Sequence, residues 1–144
     1  MSASPYVEVY EVDGTELVAI GEASTKIKSV LKMLGIPSDI IRRASIVAYE
    51  AEMNLVIHGG GGAMRLEVSP ENITVWAADQ GPGIPDIGKA MTEGFSTATE
   101  KIREMGFGAG MGLPNIKRNS DSLSLESEVG KGTTLKALIL LQKI

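Results

Sequence analysis

The spacing of apolar residues along this chain changes from a period of two to a period of about 3.6 and back again. Apolar and acidic residues alternate over Tyr6–Val12, which predicts a half-buried strand. Two helical patterns follow, from about Thr15 to Leu34 and from Ser38 or Asp39, either of which can cap the helix, to about His58. This order places two helices between the first strand and the rest of the chain.

The second half of the chain is predicted to consist mainly of strands. The predicted elements are strands at Met64–Ser69, Ile73–Asp79, Ser122–Glu128 and Thr133–Gln142, a short helix at 86–91 and a helix at Leu113–Asn119. The order β-α-α-β-β-α-β-β predicts an α+β two-layer sandwich, in which a mixed, mostly antiparallel sheet carries helices on one face. No repeat or linker interrupts it, so residues 1–144 are expected to form a single domain.

Composition excludes several classes of function. The net charge is −4 and the pI is about 5.0, which argues against nucleic acid as a partner, because phosphates require a basic surface. The chain has no Cys, so a thiolate metal site is not possible, and with one His any zinc site would have to consist mainly of carboxylates, which argues against one. Neither a signal peptide nor a membrane-length apolar run is present, so we expect a cytoplasmic protein that does not enter a membrane.

The second predicted helix carries polar residues at a spacing of four. Glu50, Asn54 and His58 in EAEMNLVIH therefore share one face, whereas Glu52 lies on the other side. A carboxylate one turn before a carboxamide suits a general base beside a Mg²⁺ ligand, since Mg²⁺ prefers hard oxygen ligands. The alternative is that these residues are only the polar face of an amphipathic helix.

Two glycine-rich segments could let a ligand approach the backbone. In ADQGPGIPD, Asp79 ends a buried strand and can accept a hydrogen bond from an amino group, while Gly81 and Gly83 leave backbone accessible. In GFGAGMG, alternate glycines lead into a helix, so phosphate could bind successive N–H groups at its positive end. A structural loop and a mobile linker are the respective alternatives. Neither segment fits the P-loop or the dinucleotide-binding motif.

Together, the order of these blocks resembles a known family. A Glu-xxx-Asn helix, a strand ending in Asp-x-Gly-x-Gly, a glycine-rich loop and a final Gly-x-Gly-Thr look like the four sequence boxes of the ATPase/kinase superfamily that includes gyrase, the heat-shock chaperone and histidine kinases. Within it, DQGPGIPDIGKAMTEGFSTA and GAGMGLPNIKR are similar to the small bacterial serine kinases that act as anti-sigma factors or stressosome switch proteins. The resemblance implies the Bergerat-type ATP-binding fold, with ATP and Mg²⁺ as cofactors.

The resemblance also implies roles for particular residues. Glu50 matches the general base, Asn54 the Mg²⁺ ligand, Asp79 the acceptor of the adenine amino group and Thr133 its supporting residue. Lys101 and Arg103 are possible lid contacts to phosphate, with a solvated charge cluster as the alternative. His58 matches a structural residue at the helix end. The further residues implied for ATP binding are Gly81, Gly83, Ile84, Gly108, Gly110 and Gly112.

Three functions are compatible with this resemblance. The first is a protein serine kinase that phosphorylates a STAS-domain antagonist or scaffold protein. The second is a nucleotide-biased binding module, an anti-sigma factor or a phosphatase activator, whose partner is a sigma factor or a PP2C-type phosphatase. The third, a histidine-kinase catalytic domain, is disfavoured, because the single His lies on the nucleotide-binding helix itself.

Overall fold

The structure is a computed structural model that describes residues 5–15, 19–81, 91 and 112–141. Its elements follow the predicted order. The predicted helix at 86–91 lies outside the described residues except for Met91, which is in a turn. The described helices and strands are β1 (Tyr6–Asp13), α1 (Glu22–Met33), α2 (Ser38–Ile57), β2 (Gly61–Val68), β3 (Asn72–Ala78), α3 (Gly112–Asn119), β4 (Ser122–Glu128) and β5 (Gly132–Leu140).

The five strands form one sheet in the order β1-β2-β3-β5-β4, and every neighbouring pair is antiparallel. A tight turn joins β2 to β3, in which the Ser69 N–H donates to the Asn72 carbonyl over 2.9 Å. Of the mixed and antiparallel sheets that the sequence allowed, the described strands form the antiparallel one. The predicted α+β class is confirmed.

The hydrophobic core lies between the sheet and the helices. The buried apolar residues of the central strands alternate along each strand, as expected when one face of a sheet is covered, and Thr74 on the opposite face is also buried. The α2 residues that face them are largely Ala and Val, whose small volume lets the helix approach the sheet closely. The core residues from these elements are Ile40, Ile41, Ala44, Val47, Ala48, Ala51, Leu55, Met64, Leu66, Val68, Ile73, Val75, Ala77, Leu135, Ala137 and Ile139.

The opposite face of the sheet carries charged residues around Trp76. Arg65 and Lys136 are its cross-strand neighbours on β2 and β5. The Arg65 guanidinium carbon lies 5.0 Å and the Lys136 ammonium nitrogen 5.3 Å from the centroid of the Trp76 ring. Both distances are in the cation–π range, so this aromatic side chain is covered without a second layer of helices.

Helix α1 begins later than its apolar pattern predicts. The expected start near Thr15 is wrong, because the helix begins at Glu22, after Gly21 with a φ of 109°. Glu52, which lies on α2 and is 2% exposed, holds the N-terminus of α1 in place. The carboxylate of Glu52 accepts hydrogen bonds from the backbone N–H groups of Gly21 (3.0 Å), Ala23 (3.2 Å) and Ser24 (2.9 Å).

The N-cap predicted for α2 is also wrong. Pro37 occupies the N-cap position, and neither Ser38 nor Asp39 caps the helix, since both lie inside its first turn. Asp39 still places a negative charge near the positive end of the helix dipole, which is a favourable position for an acidic residue. The pattern therefore located this helix correctly and misplaced only its cap.

Candidate nucleotide-binding site

The carboxylate of Asp79 is fixed at the point where β3 ends. Its backbone N–H donates to the Thr133 carbonyl over 3.0 Å, which extends the pairing of β3 with β5. Its Oδ1 accepts hydrogen bonds from the N–H of Gly81 at 2.8 Å and the N–H of Thr133 at 3.2 Å. The predicted residues Asp79, Gly81 and Thr133 therefore meet. Thr133 binds Asp79 through its backbone N–H and not through its hydroxyl. The hydroxyl lies 2.8 Å from Ser127 Oγ.

Two glycines that sequence reasoning did not assign to the site make room for Asp79. A Cβ at Gly59 would lie 2.7 Å from Cγ and Oδ2 of Asp79, and one at Gly132 would overlap the Asp79 carbonyl oxygen. Any larger residue at either position would displace the aspartate. The glycine run after α2 and the Gly-x-Gly-Thr block were visible signals, but the contact with Asp79 was not.

His58 lies at the C-terminal end of α2, as predicted for a structural residue. Its backbone N–H and that of Gly59 both donate to the Asn54 carbonyl, at 3.0 and 3.1 Å. Burial lowers the pKa of His58, and the nearby Asp79 carboxylate opposes this shift. The end of α2 is thus next to the acidic group at the end of β3.

Glu50 and Asn54 meet the first residue of α3 at the other end of the site. A Cβ at Gly112 would lie 3.1 Å from Asn54 Oδ1 and 3.3 Å from Glu50 Oε2. The fold therefore brings the predicted base, the predicted Mg²⁺ ligand and one predicted phosphate-loop glycine into contact. Glycine allows this approach because a side chain would push both polar groups aside.

Asn115, which the sequence reasoning did not select, accompanies Glu50. Burial raises the pKa of the half-buried Glu50 carboxyl, and a side-chain hydrogen bond from Asn115 acts in the opposite direction. The Oδ1 of Asn115 accepts a hydrogen bond from the Arg118 guanidinium over 3.1 Å. Asn115 follows Gly112 by almost one helical turn on α3. This spacing was the only sequence feature that could have identified Asn115 as a site residue.

The described site therefore has two ends that α2 connects. Two helical turns separate Glu50 from His58, a rise of about 12 Å along the helix axis. The remaining predicted contacts lie outside the described residues; these are Gly83, Ile84, Lys101, Arg103, Gly108 and Gly110.

The chain matches a known family over this site. Residues 40–143 match the family described as histidine kinase-, DNA gyrase B- and HSP90-like ATPase. The matched region contains all but the first two residues of α2, the end of β3, α3 and the last strand pair, which are the elements that carry the site. The chain belongs to this ATPase family.

Individual relatives narrow the comparison. The chain is 36% identical over 115 residues to the serine/threonine-protein kinase RsbT of Bacillus subtilis, covering 77% of this chain and 80% of the relative. It is 38% identical over 92 residues to an anti-sigma F factor of Thermoanaerobacter sp., covering 60% of this chain and 61% of the relative. The resemblance to bacterial switch kinases and the kinase class predicted from the sequence are confirmed by these matches.

A solved structure supports the fold. A chain in the crystal structure of the SiaB–SiaC complex from Pseudomonas aeruginosa superimposes with a TM-score of 0.62, covering 92% of this chain and 88% of that chain. The identity is 14%, so this likeness concerns the fold alone.

Two absences hold for the described part of the chain. None of its helices is long and apolar enough to cross a membrane. None of its His, Asp and Glu residues form a group of three or more that could hold a metal ion.

Proposed function

We propose that this protein is an ATP- and Mg²⁺-dependent protein serine kinase. Its substrate would be a STAS-domain antagonist or scaffold protein, and phosphorylation would regulate a stress or sigma-factor pathway by partner switching in the cytoplasm. Residues 1–144 would act as one ATP-binding kinase domain. The observation that carries the proposal is the contact of Glu50 and Asn54 with Gly112, because it combines a base, an oxygen ligand and a helix N-terminus.

The described residues fit an adenine nucleotide at both ends of the site. Oδ1 of Asp79 holds two backbone N–H groups, so we assign Oδ2 as the acceptor for the adenine amino group. At the other end, the first N–H groups of α3 point along a helix dipole that favours phosphate. Gly81 and Gly112 would each let the ligand approach backbone.

Asn54 is the residue that would hold Mg²⁺. Its side-chain oxygen is a hard ligand, and Mg²⁺ in such sites keeps several waters and binds substrate phosphates instead of a full protein cage. The lack of an acidic cluster among the described residues is compatible with this type of site. When bound, Mg²⁺ would neutralise negative charge on the phosphates and hold them in position.

The transfer step needs a group that accepts one proton. The hydroxyl oxygen of the substrate serine attacks the γ-phosphorus of ATP, and the bond from that phosphorus to the β–γ bridging oxygen breaks. The hydroxyl proton moves to the carboxylate of Glu50, and ADP leaves. Partial burial raises the pKa of Glu50, which makes it a stronger base than an exposed glutamate.

Labelled ATP and a purified STAS-domain protein test the kinase activity. We expect wild type to produce phosphoserine and Glu50→Gln to reduce the rate by ~10²–10⁴-fold, the usual contribution of a general base. Glu126→Gln, at an exposed position on β4, is the matched control and should behave as wild type. Absence of phosphoserine with wild type, or full activity in Glu50→Gln, would disprove the catalytic assignment.

A nucleotide-biased binding module is the second candidate. The similarity to anti-sigma F factors favours it, because that name describes those relatives as acting against a sigma factor. The partner would be a sigma factor or a PP2C-type phosphatase that the free protein activates. Complex formation measured with ATP, with ADP and without nucleotide distinguishes the cases, and equal affinity in all three would exclude a nucleotide switch.

A further inference from the structure

An open groove begins at Glu50 and runs away from the nucleotide site. It lies between α2 and α3 and has a volume of about 440 Å³. Ile46 lies one helical turn before Glu50, whereas Asn54 lies one turn after it, so the groove and the proposed Mg²⁺ ligand are on opposite sides of the carboxylate. The lining residues within the described part of the chain are Ser45, Ile46, Tyr49, Glu50, Asn115 and Asn119.

The α3 wall of the groove is held by a chain of hydrogen bonds. Asn119 Nδ2 donates to the Asn115 carbonyl over 2.9 Å, and the Arg43 guanidinium donates to the Asn119 carbonyl over 3.2 Å from α2. The Asn115 side chain receives a hydrogen bond from Arg118 and lies beside Glu50. These contacts keep the carboxamides and the carboxylate in a defined arrangement.

The α2 wall contains a hydroxyl whose hydrogen-bonding capacity is not used within the described structure. Ser45 Oγ is buried and has no hydrogen-bond partner there. Buried hydroxyl groups almost always have a partner, and leaving one without costs about 1–3 kcal/mol. Rotation of the Ser45 side chain toward the groove would let a polar group of a bound segment remove this cost.

We propose that this groove binds the segment of the protein substrate that carries the acceptor serine. The inference rests on the proposed kinase function and adds the surface that recognises the substrate. A base must contact the hydroxyl from which it takes a proton, and Glu50 is one of the residues that line this groove. The groove is therefore continuous with the proposed transfer site.

The chemistry of the walls indicates the kind of segment that fits. Glu50 is the acidic residue among the six described lining residues, so it would repel acidic residues next to the acceptor serine of the substrate. Asn115 and Asn119 present carboxamides, which can pair with the backbone of an extended chain, and Ile46 and Tyr49 present apolar surface. The groove suits an uncharged, extended segment with small residues around the serine.

Steady-state kinetics with the STAS-domain protein that wild type phosphorylates test this proposal. We expect Tyr49→Ala to raise the KM for that protein about tenfold, which corresponds to about 1.4 kcal/mol, while the dissociation constant for ATP stays unchanged. Ser45→Ala should also raise this KM, whereas its thermal stability should be unchanged or higher, because it removes an unsatisfied hydroxyl. Met33→Ala, which truncates an apolar side chain that is 75% exposed on α1, is the matched control.

The outcomes separate this proposal from the kinase function. Wild-type KM values in both groove variants, with activity retained, would overturn the groove and leave the kinase assignment standing. Absence of transfer by wild type would overturn both. A complementary substitution tests charge: an aspartate introduced beside the acceptor serine of the substrate should raise KM for wild type, and an unchanged KM would contradict the repulsion from Glu50.

Discussion

Glu52 allows a stability prediction that can be worked out from the structure. Its carboxylate accepts three backbone N–H groups at the N-terminus of α1, at 2.9 to 3.2 Å, and the side chain is 2% exposed. Glu52→Ala removes the acceptor and leaves these donors without a partner in a mostly buried place. Each buried donor left without a partner costs about 1–3 kcal/mol, so the loss of all three bonds should cost at least about 3 kcal/mol, a large part of the ~5–15 kcal/mol that stabilises a typical domain.

Glu52→Gln should have an intermediate effect. Its single oxygen can replace Oε2, which accepts from Gly21 and Ala23, but its NH₂ group would then face the N–H of Ser24. The variant thus loses one hydrogen bond to a charged group and the favourable charge at the helix N-terminus, or about 2–3 kcal/mol.

Urea unfolding of the purified protein measures these differences. Glu22→Gln is the matched control, because it removes an exposed negative charge from the first turn of the same helix and should cost only ~0.3–1 kcal/mol. We expect the losses to rank Glu52→Ala, then Glu52→Gln, then Glu22→Gln. If Glu52→Ala lost no more stability than the control, the three hydrogen bonds would not hold α1, and the reasoning would be refuted.

Four further predictions concern the site. The single imidazole should titrate below 6.5 in an NMR experiment, since burial lowers the pKa of His58. Below a pH of about 6.5 the unfolded state then binds more protons than the folded state, so the free energy of unfolding should fall as the pH drops. His58→Gln should remove this part of the pH dependence of stability. Asp79→Asn should fold normally but bind ATP about 10–100-fold more weakly in calorimetry, because an NH₂ group would face the adenine amino group, and equal affinity would contradict the adenine assignment. Gly112→Ala should weaken Mg²⁺-dependent ATP binding with little change in thermal stability, because the Cβ of the alanine would press on Asn54 and Glu50. Unaltered ATP binding would show that this contact is not part of the site. In the pH profile of the transfer rate, the fall on the acidic side should have its midpoint above the ordinary glutamate pKa of 4.5, since burial raises the pKa of Glu50 and the proton acceptor must be ionised. A midpoint at or below 4.5 would argue against this role of Glu50.

Elements whose signals are local could be predicted from the sequence. The alternation in β1, the helical period of α2 and the apolar strand pattern of β3 each depend on neighbouring residues, so their positions were predicted closely. The start of α1 was misplaced because its cap comes from Glu52, which is 28 to 31 residues away along the chain. Local pattern cannot reveal a capping group that another helix supplies.

The candidate site likewise has features that could be predicted from the sequence and contacts that could not. That Glu50 and Asn54 share a face follows from the helical period, and Asp79 is recognisable as a polar residue at the end of an apolar strand. Which groups these residues meet depends on how distant segments pack. Gly59 and Asp79 come together only because the end of α2 lies against the end of β3.

The sequence by itself determined the order of the elements, the antiparallel or mixed character of the sheet and the residues that could carry chemistry, because periodicity and turn residues act over a few positions. Only the tertiary structure decided that Gly112 touches both Glu50 and Asn54, that Asn115 accompanies the carboxylate and that a groove opens beyond it. These contacts join residues from separate elements, and they form only when burial of the shared core brings those elements together.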